Sequence, residues 1–247
     1  MSLDFIARHP HSVAVKRVWI AIVVVFAAPA GVIGWQMAQP SDEPVYKGRT
    51  LTSWLEDYRH PAHNHESFEV NPAAEEAIRR IGTDGIPTLL RLVRADDSAL
   101  KVKVMDLLQR QHLVKVEYKP AVVWNQLATC GFKALGTNAA GAVSELIQIV
   151  SRNISLHSQS AAIDSLGCIG PPAKQAVPHL LQWGTNAHLG YESIRTLGRI
   201  GASAQEAVPL LLQWATNADV DVRNCAKWSL LQIDPQAAAR TGITNAP

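Results

Sequence analysis

Cysteine is scarce in this chain: three among 247 residues cannot build a disulfide framework. Neither sign of charge prevails. Lys and Arg number 23 against 21 Asp and Glu, a net charge of +2, which leaves no electrostatic case for nucleic acid. The sequence has no GxSxG elbow, no P-loop, no HExxH and no glycine-rich nucleotide fingerprint, so the common catalytic classes find no foothold. No run of alternating apolar and polar residues competes with helical spacing. What remains is a chain of ordinary globular composition, 47% hydrophobic and 18% charged, which excludes a collagen, an acidic tail or wholesale disorder. Its length suffices for one or two domains with a sizeable core.

The most apolar run lies near the start. No charged side chain occurs between Arg17 and Asp42. Residues 18–37 are 20 in number, and as a helix they would reach roughly 30 Å, the thickness of the hydrocarbon layer. Trp19 and Trp35 stand near its ends, where indoles favour the interface. Arg8, Lys16 and Arg17 precede the run and Asp42 and Glu43 follow it, which predicts a cytoplasmic N-terminus (1–17), an anchor (18–38) and an exported remainder. A cleaved signal peptide with Ala28-Pro29-Ala30 as its small-x-small site is the rival, and a buried soluble helix is the third reading. Both of the first two export the bulk of the chain, to the outer side of a cell inner membrane.

Residues 39–70 read as a linker with a short helix and a loop. Ser53 and Glu56 have capping-box spacing, Trp54, Leu55 and Tyr58 make a helical stripe, and 60–72 reads as a loop. From about residue 71 an internal period dominates. Gly136, Gly170, Gly201 and Asp234 close Leu- or Ile-rich stretches at spacings of 34, 31 and 33 residues. Seven residues after each glycine come Val143, Val177 and Val208, each followed by a Leu/Ile pair. Ile81-Gly82 with Ile86-Pro87 keeps the order with a shorter turn, whereas 112–134 breaks the beat: Gly82 and Gly136 are 54 residues apart.

Each period predicts two helices. Pro87, Pro178 and Pro209 fall at helix starts, where a missing N–H costs nothing. Val177, Leu180, Leu181 and Gly184 share one face, Leu189, Ile194, Leu197 and Ile200 another, and Gly201 ends the unit where positive φ is cheapest. A single hairpin cannot bury its own apolar face, so the units must stack. The fold class predicted is all-α, a solenoid of two-helix repeats over 71–238, with a tail at 239–247 and one transmembrane helix ahead of it.

Val-Pro-x-Leu-Leu, Asp219-Val220-Asp221-Val222-Arg223, Ala226 to Leu230 and the closing Ile200-Gly201 together resemble HEAT repeats, including the bilin-lyase-like subtype, over about two thirds of the chain. The opening Tyr46-Lys47-Gly48-Arg49 to Trp54-Leu55 looks like the lead-in of membrane-anchored bacterial HEAT proteins. The resemblance implies an armadillo-type superhelix that binds protein or peptide on its concave face. HEAT-like iron hydroxylases carry His-Glu dipeptides on several repeat helices; here the only such dipeptide is His65-Glu66, outside the repeats. HEAT-like DNA glycosylases need a basic face, yet residues 72–247 hold 17 Lys and Arg against 14 Asp and Glu.

Several clusters carry more than one reading. His60, His63, His65 and Glu66 are dense enough to ligate zinc or copper, or simply make a polar loop. Cys130, Cys168 and Cys225 read as small core hydrophobes, with one reactive thiol as the alternative. Trp183 and Trp214, at equivalent positions, read as inter-repeat packing or as an exposed aromatic ladder. On the second helix of each period, register aligns Asp164, Arg195 and Trp228 in one outward column, Ser160, Tyr191 and Asn224 in a second, and Cys168, Arg199 and Gln232 in a third. Asp164, Tyr191, Arg195, Arg199, Asn224 and Trp228 are therefore the candidate protein-binding residues, since Tyr, Trp and Arg carry most interface affinity; a plain solvated surface is the other reading. The expected function is a non-catalytic, membrane-tethered scaffold for a protein or peptide partner, with no cofactor. The alternative is a metal- or chromophore-binding, lyase-like protein using the histidine loop, and a structural role in the cell envelope is a third.

Overall fold

The computed structural model describes residues 42–61, 68–110 and 118–244. The expected anchor at 18–38 lies outside them, as do His63, His65 and Glu66. Among the described residues no helix is long and apolar enough to cross a membrane.

A small hairpin begins the described chain. Strands β1 (Val45–Tyr46) and β2 (Arg49–Thr50) pair antiparallel across Lys47-Gly48, both at positive φ, 49° and 75°. That mirror-image turn matches the twist of the strands it joins. Thr50 then caps helix α1 (Leu51–Glu56), accepting from the Ser53 N–H. The helix therefore starts earlier than the expected Ser53–Glu56 box. The strand-to-helix junction puts Thr50 in the extended conformation that a cap requires, leaving Ser53 inside the helix, where its hydroxyl accepts from Arg49. Strands β3 (Arg59–Pro61) and β4 (Phe68–Val70) then form a second antiparallel pair where the sequence predicts a loop. Three residues per strand are too few to show an alternating pattern.

The remainder is helical. Helix α2 (Pro72–Ile81) passes through a tight turn at Gly82–Gly85 into α3 (Ile86–Val93). After α4 (Ala99–Arg110), the same plan recurs as α5 (Ala121–Leu135) with α6 (Val143–Arg152), α7 (Leu156–Ile169) with α8 (Val177–Trp183), and α9 (Gly190–Ile200) with α10 (Val208–Trp214). Helices α11 (Val220–Ile233) and α12 (Pro235–Arg240) end it. Gly136, Gly170 and Gly201 close their helices at φ of 54°, 74° and 70°, as the period predicts. In the turns that follow, Ala139 and Ala142, Ala173 and Ala176, and Ala204 and Ala207 are wholly buried. Successive turns pack on one another there, and any larger side chain would push the units apart.

The longer helices α5, α7, α9 and α11 lie side by side in one layer, and each of α3, α6 and α8 rests on the opening helix and the turn of the next unit. Leu135, Ile169, Ile200 and Ile233 point into the space between layers with Val143, Leu146, Val177, Leu180 and Leu211. Each such buried side chain contributes about 1.5–3 kcal/mol, and no one pair could bury its own. The irregular spacing between Gly82 and Gly136 now has a cause. Helix α3 packs directly on α5, so α4 is an excursion from the stack rather than a missing repeat, and its Leu100, Val102 and Val104 are exposed.

Candidate functional site

The longer helices keep a common register with respect to the residue that closes them, so equivalent side chains line up across the layer. Arg195 Nη2 donates to Asp164 Oδ1 at 2.7 Å, joining α9 to α7 within one column. Arg199 Nη1 reaches the same oxygen at 3.4 Å. The Arg195 guanidinium lies 5.7 Å from the centre of the Tyr191 ring, one turn back on α9. Desolvation works against its charge, but the Asp164 carboxylate outweighs it and holds the guanidinium more firmly protonated than usual.

Two neighbouring hollows open on this layer. The first, of about 460 Å³, is bordered by Tyr58, Asn125, Thr129, Lys133, His157 and Asp164. The second, of about 320 Å³, is bordered by Tyr191, Arg195, Asn224, Cys225 and Trp228. Arg199 lines both and stands between them. Five of the six sequence-predicted residues thus meet in the second hollow, and the sixth, Asp164, is the carboxylate that anchors two of the five. Tyr191 and Trp228 remain open to solvent, at 45% and 41% exposure. Asp164 is committed to the arginines, which makes it a positioning group for them.

Other side chains of the columns are placed differently. Ser160 and Cys168 border the first hollow. Cys225 forms part of the wall of the second, buried, its thiol 3.7 Å from the Tyr191 carbonyl, and burial pushes its pKa up to about 11. Burial raises the Cys168 thiol as well. None of the three cysteines is in a disulfide, and the buried Cys225, with its raised thiol, lacks the setting of a reactive one. Trp214 is 9% exposed and lies against Gly184 of the preceding unit, while Trp183 packs on the core and stacks on His179 at 5.6 Å. Both behave as packing residues. His60 lies in β3, and among the described residues no group of His, Cys, Asp and Glu side chains is arranged to hold a metal.

The first hollow was not foreseen, although Gln126 and Cys130 of α5 occupy the register positions of Ser160 and Asp164 and line it too. Asn125 sits at its base, 1% exposed, and its amide nitrogen donates to the carbonyls of Leu92, Val93 and Ala95 at 2.9, 2.9 and 3.1 Å. Those carbonyls lie at the C-terminal end of α3 and just past it, so Asn125 closes one helix from the wall of another. Its own carbonyl oxygen is buried with no hydrogen-bond partner among the described residues. Tyr58, 2% exposed, borders the same space, and its phenol is raised to about 12, chiefly by burial.

Comparison with known proteins found no match among protein-family models, among curated proteins or among solved structures.

Proposed function

We propose that this chain is a membrane-tethered scaffold of the HEAT-repeat type that binds a protein or peptide on the layer formed by α5, α7, α9 and α11. The observation that carries the reading is the convergence of Tyr191, Arg195, Arg199, Asn224 and Trp228 on one open hollow beside a second one. Exposed aromatic rings flanked by guanidinium groups supply large contact area and directional hydrogen bonds, the residue types in which interface affinity concentrates. The stacked two-helix units and their Val-Pro-x-Leu-Leu openings support the HEAT assignment. Tethering through 18–38, with the N-terminus in the cytoplasm and the repeats in the periplasm, raises the effective concentration of the face toward membrane partners, so a modest interface suffices.

Site-specific photo-cross-linking tests this. A photoreactive phenylalanine analogue replaces Tyr191 in the full chain, in membranes, and a second variant carries it at Gln148 on α6. A discrete adduct from position 191 and none from position 148 is the expected result. No adduct, or the same adduct from both, would remove this face from consideration. Carbonate extraction of the same membranes reads the tether, since an anchored chain stays in the pellet.

A further inference from the structure

Resting on that reading of the face as a peptide site, we propose that the bound segment carries a carboxylate, held by Arg199 at the junction of the two hollows, next to an apolar or aromatic side chain seated against Trp228 and Tyr191.

The argument starts from an imbalance. Three cations, Lys133, Arg195 and Arg199, border the two hollows, Lys133 and Arg199 in the last turns of α5 and α9 and Arg195 one turn earlier on α9, and Asp164 is the one carboxylate set among them. Asp164 Oδ1 takes both guanidinium groups, but unequally: Arg195 holds it at 2.7 Å and Arg199 at 3.4 Å. The bidentate fork that a guanidinium can make with a carboxylate is absent here, and that 3.4 Å contact is the one side-chain hydrogen bond Arg199 makes among the described residues, its side chain staying 35% exposed. The other acid bordering these hollows is Asp221, and it sits in the first turn of α11, whereas Arg199 is in the last turn of α9. The two helices run in the same direction, each opening its unit, which puts Asp221 at the far end of the second hollow. Glu192 is likewise in the first turn of α9, away from Arg199.

The backbone beneath also prepares the site. Gly167 of α7 lies under the Arg199 side chain, and a Cβ there would come within 2.9 Å of Arg199 Cδ. Absence of that Cβ lets the aliphatic stem lie flat on α7, so that the guanidinium is presented between the hollows with 35% of its side chain still exposed. On the other side, Trp228 and Tyr191 give an apolar wall that stays wet in the free chain. A peptide with an acid beside an apolar residue satisfies both features at once. A basic peptide would meet Lys133, Arg195 and Arg199 as like charges.

Selection from a randomised decapeptide library against the purified full chain tests the inference. One arm displays free C-termini and the other amidated ones. Expected are binders with Asp or Glu within a few positions of Leu, Phe, Tyr or Trp; enrichment in the free arm alone would assign the carboxylate to the C-terminus. Binding by a selected peptide should fall about tenfold or more in Arg199→Gln, and equally when the acid of the peptide is replaced by its amide. The two changes together should cost no more than either. Peptides without acids, or unchanged affinity in Arg199→Gln and with the amide peptide, would overturn the carboxylate assignment while leaving a peptide-binding face. Failure to select any peptide would overturn both.

Discussion

Trp228 of α11 lies directly across the backbone of Gly198 on α9: a Cβ built on Gly198 would fall 2.5 Å from the ring atom Cζ3, 2.7 Å from Ser229 Oγ and 2.9 Å from Ser229 Cα. The indole that forms a wall of the second hollow is therefore held by a glycine on the neighbouring repeat. Ser229 adds a hydrogen bond from its hydroxyl to the Ile194 carbonyl at 2.8 Å. Between these contacts α9 and α11 approach more closely than two side-chain-bearing surfaces could.

Gly198→Ala should destabilise the chain by about 1–2 kcal/mol. Overpacking against a backbone atom costs about 1–3 kcal/mol, and improved helix propensity returns up to about 1 kcal/mol. Gly167→Ala is the contrast, because its nearest contact is the flexible Arg199 stem and no backbone atom lies among its closest neighbours. It should be nearly neutral in urea unfolding, yet should shift Arg199 and weaken any ligand held there. Equal destabilisation by both would refute the distinction.

The Asp164 pair with Arg195 has side-chain exposures of 26% and 32%, which places it between a surface and a buried ion pair. Asp164→Asn should cost about 1 kcal/mol in low salt, with part of the loss disappearing at high ionic strength. Arg195→Gln should cost a similar amount, and the double variant little more than either. A coupling energy near zero in that cycle would show that the pair orders nothing.

Asn125→Leu keeps the branched shape of the side chain and removes the amide N–H donors shared among the carbonyls of Leu92, Val93 and Ala95. The Leu92 carbonyl keeps its bond from the Ala95 N–H at 3.1 Å, so the loss falls mainly on Val93 and Ala95 and should be about 1–3 kcal/mol, the cost of leaving a buried acceptor unpaired. Hydrogen exchange should be fastest at the α3 end and at Ala95. Unchanged protection there would show that water replaces the amide without penalty.

The repeating units were legible in the sequence because α5, α7 and α9 each end at a glycine with positive φ and the helix after the turn starts at Val143, Val177 or Val208, so the register can be counted residue by residue. The same register sets Tyr191, Arg195, Arg199, Asn224 and Trp228 on one face from the sequence alone. It failed where chemistry depends on partners far along the chain. Asn125 and Tyr58 meet at the first hollow from separate units, and nothing local in either marks the encounter. The turn alanines at 139, 142, 173, 176, 204 and 207 were visible as letters but not as the buried contact between units, since alanine suits any environment. Helix α4 escaped notice because Leu100, Val102 and Val104 face solvent, so its apolar residues do not follow the period of the stack.

Asp97 shows the same dependence on distant partners, and its titration can be followed. Pro120 precedes α5 and has no side chain able to cap it. Asp97 Oδ2 accepts from the Ala121 N–H at 2.6 Å from 24 residues away, while Oδ1 takes the Lys101 ammonium at 2.8 Å. Desolvation pushes the carboxyl upward, but the hydrogen bonds from Lys101 and the Ala121 N–H, with the Lys101 charge, help to outweigh it and hold the pKa below the ordinary value of 3.8. The folded state thus prefers the ionised form. Its contribution is fully present above the unfolded pKa, near 4, and is lost as pH falls through the lower folded one. Asp97→Asn should therefore cost about 1 kcal/mol at pH 7, the value of a lost helix cap, and the difference from the unaltered chain should shrink steadily below pH 4. Urea unfolding of both chains at pH 7 and pH 3 measures it. A gap that stays constant down to pH 3 would mean that the ionised carboxylate has no part in starting α5.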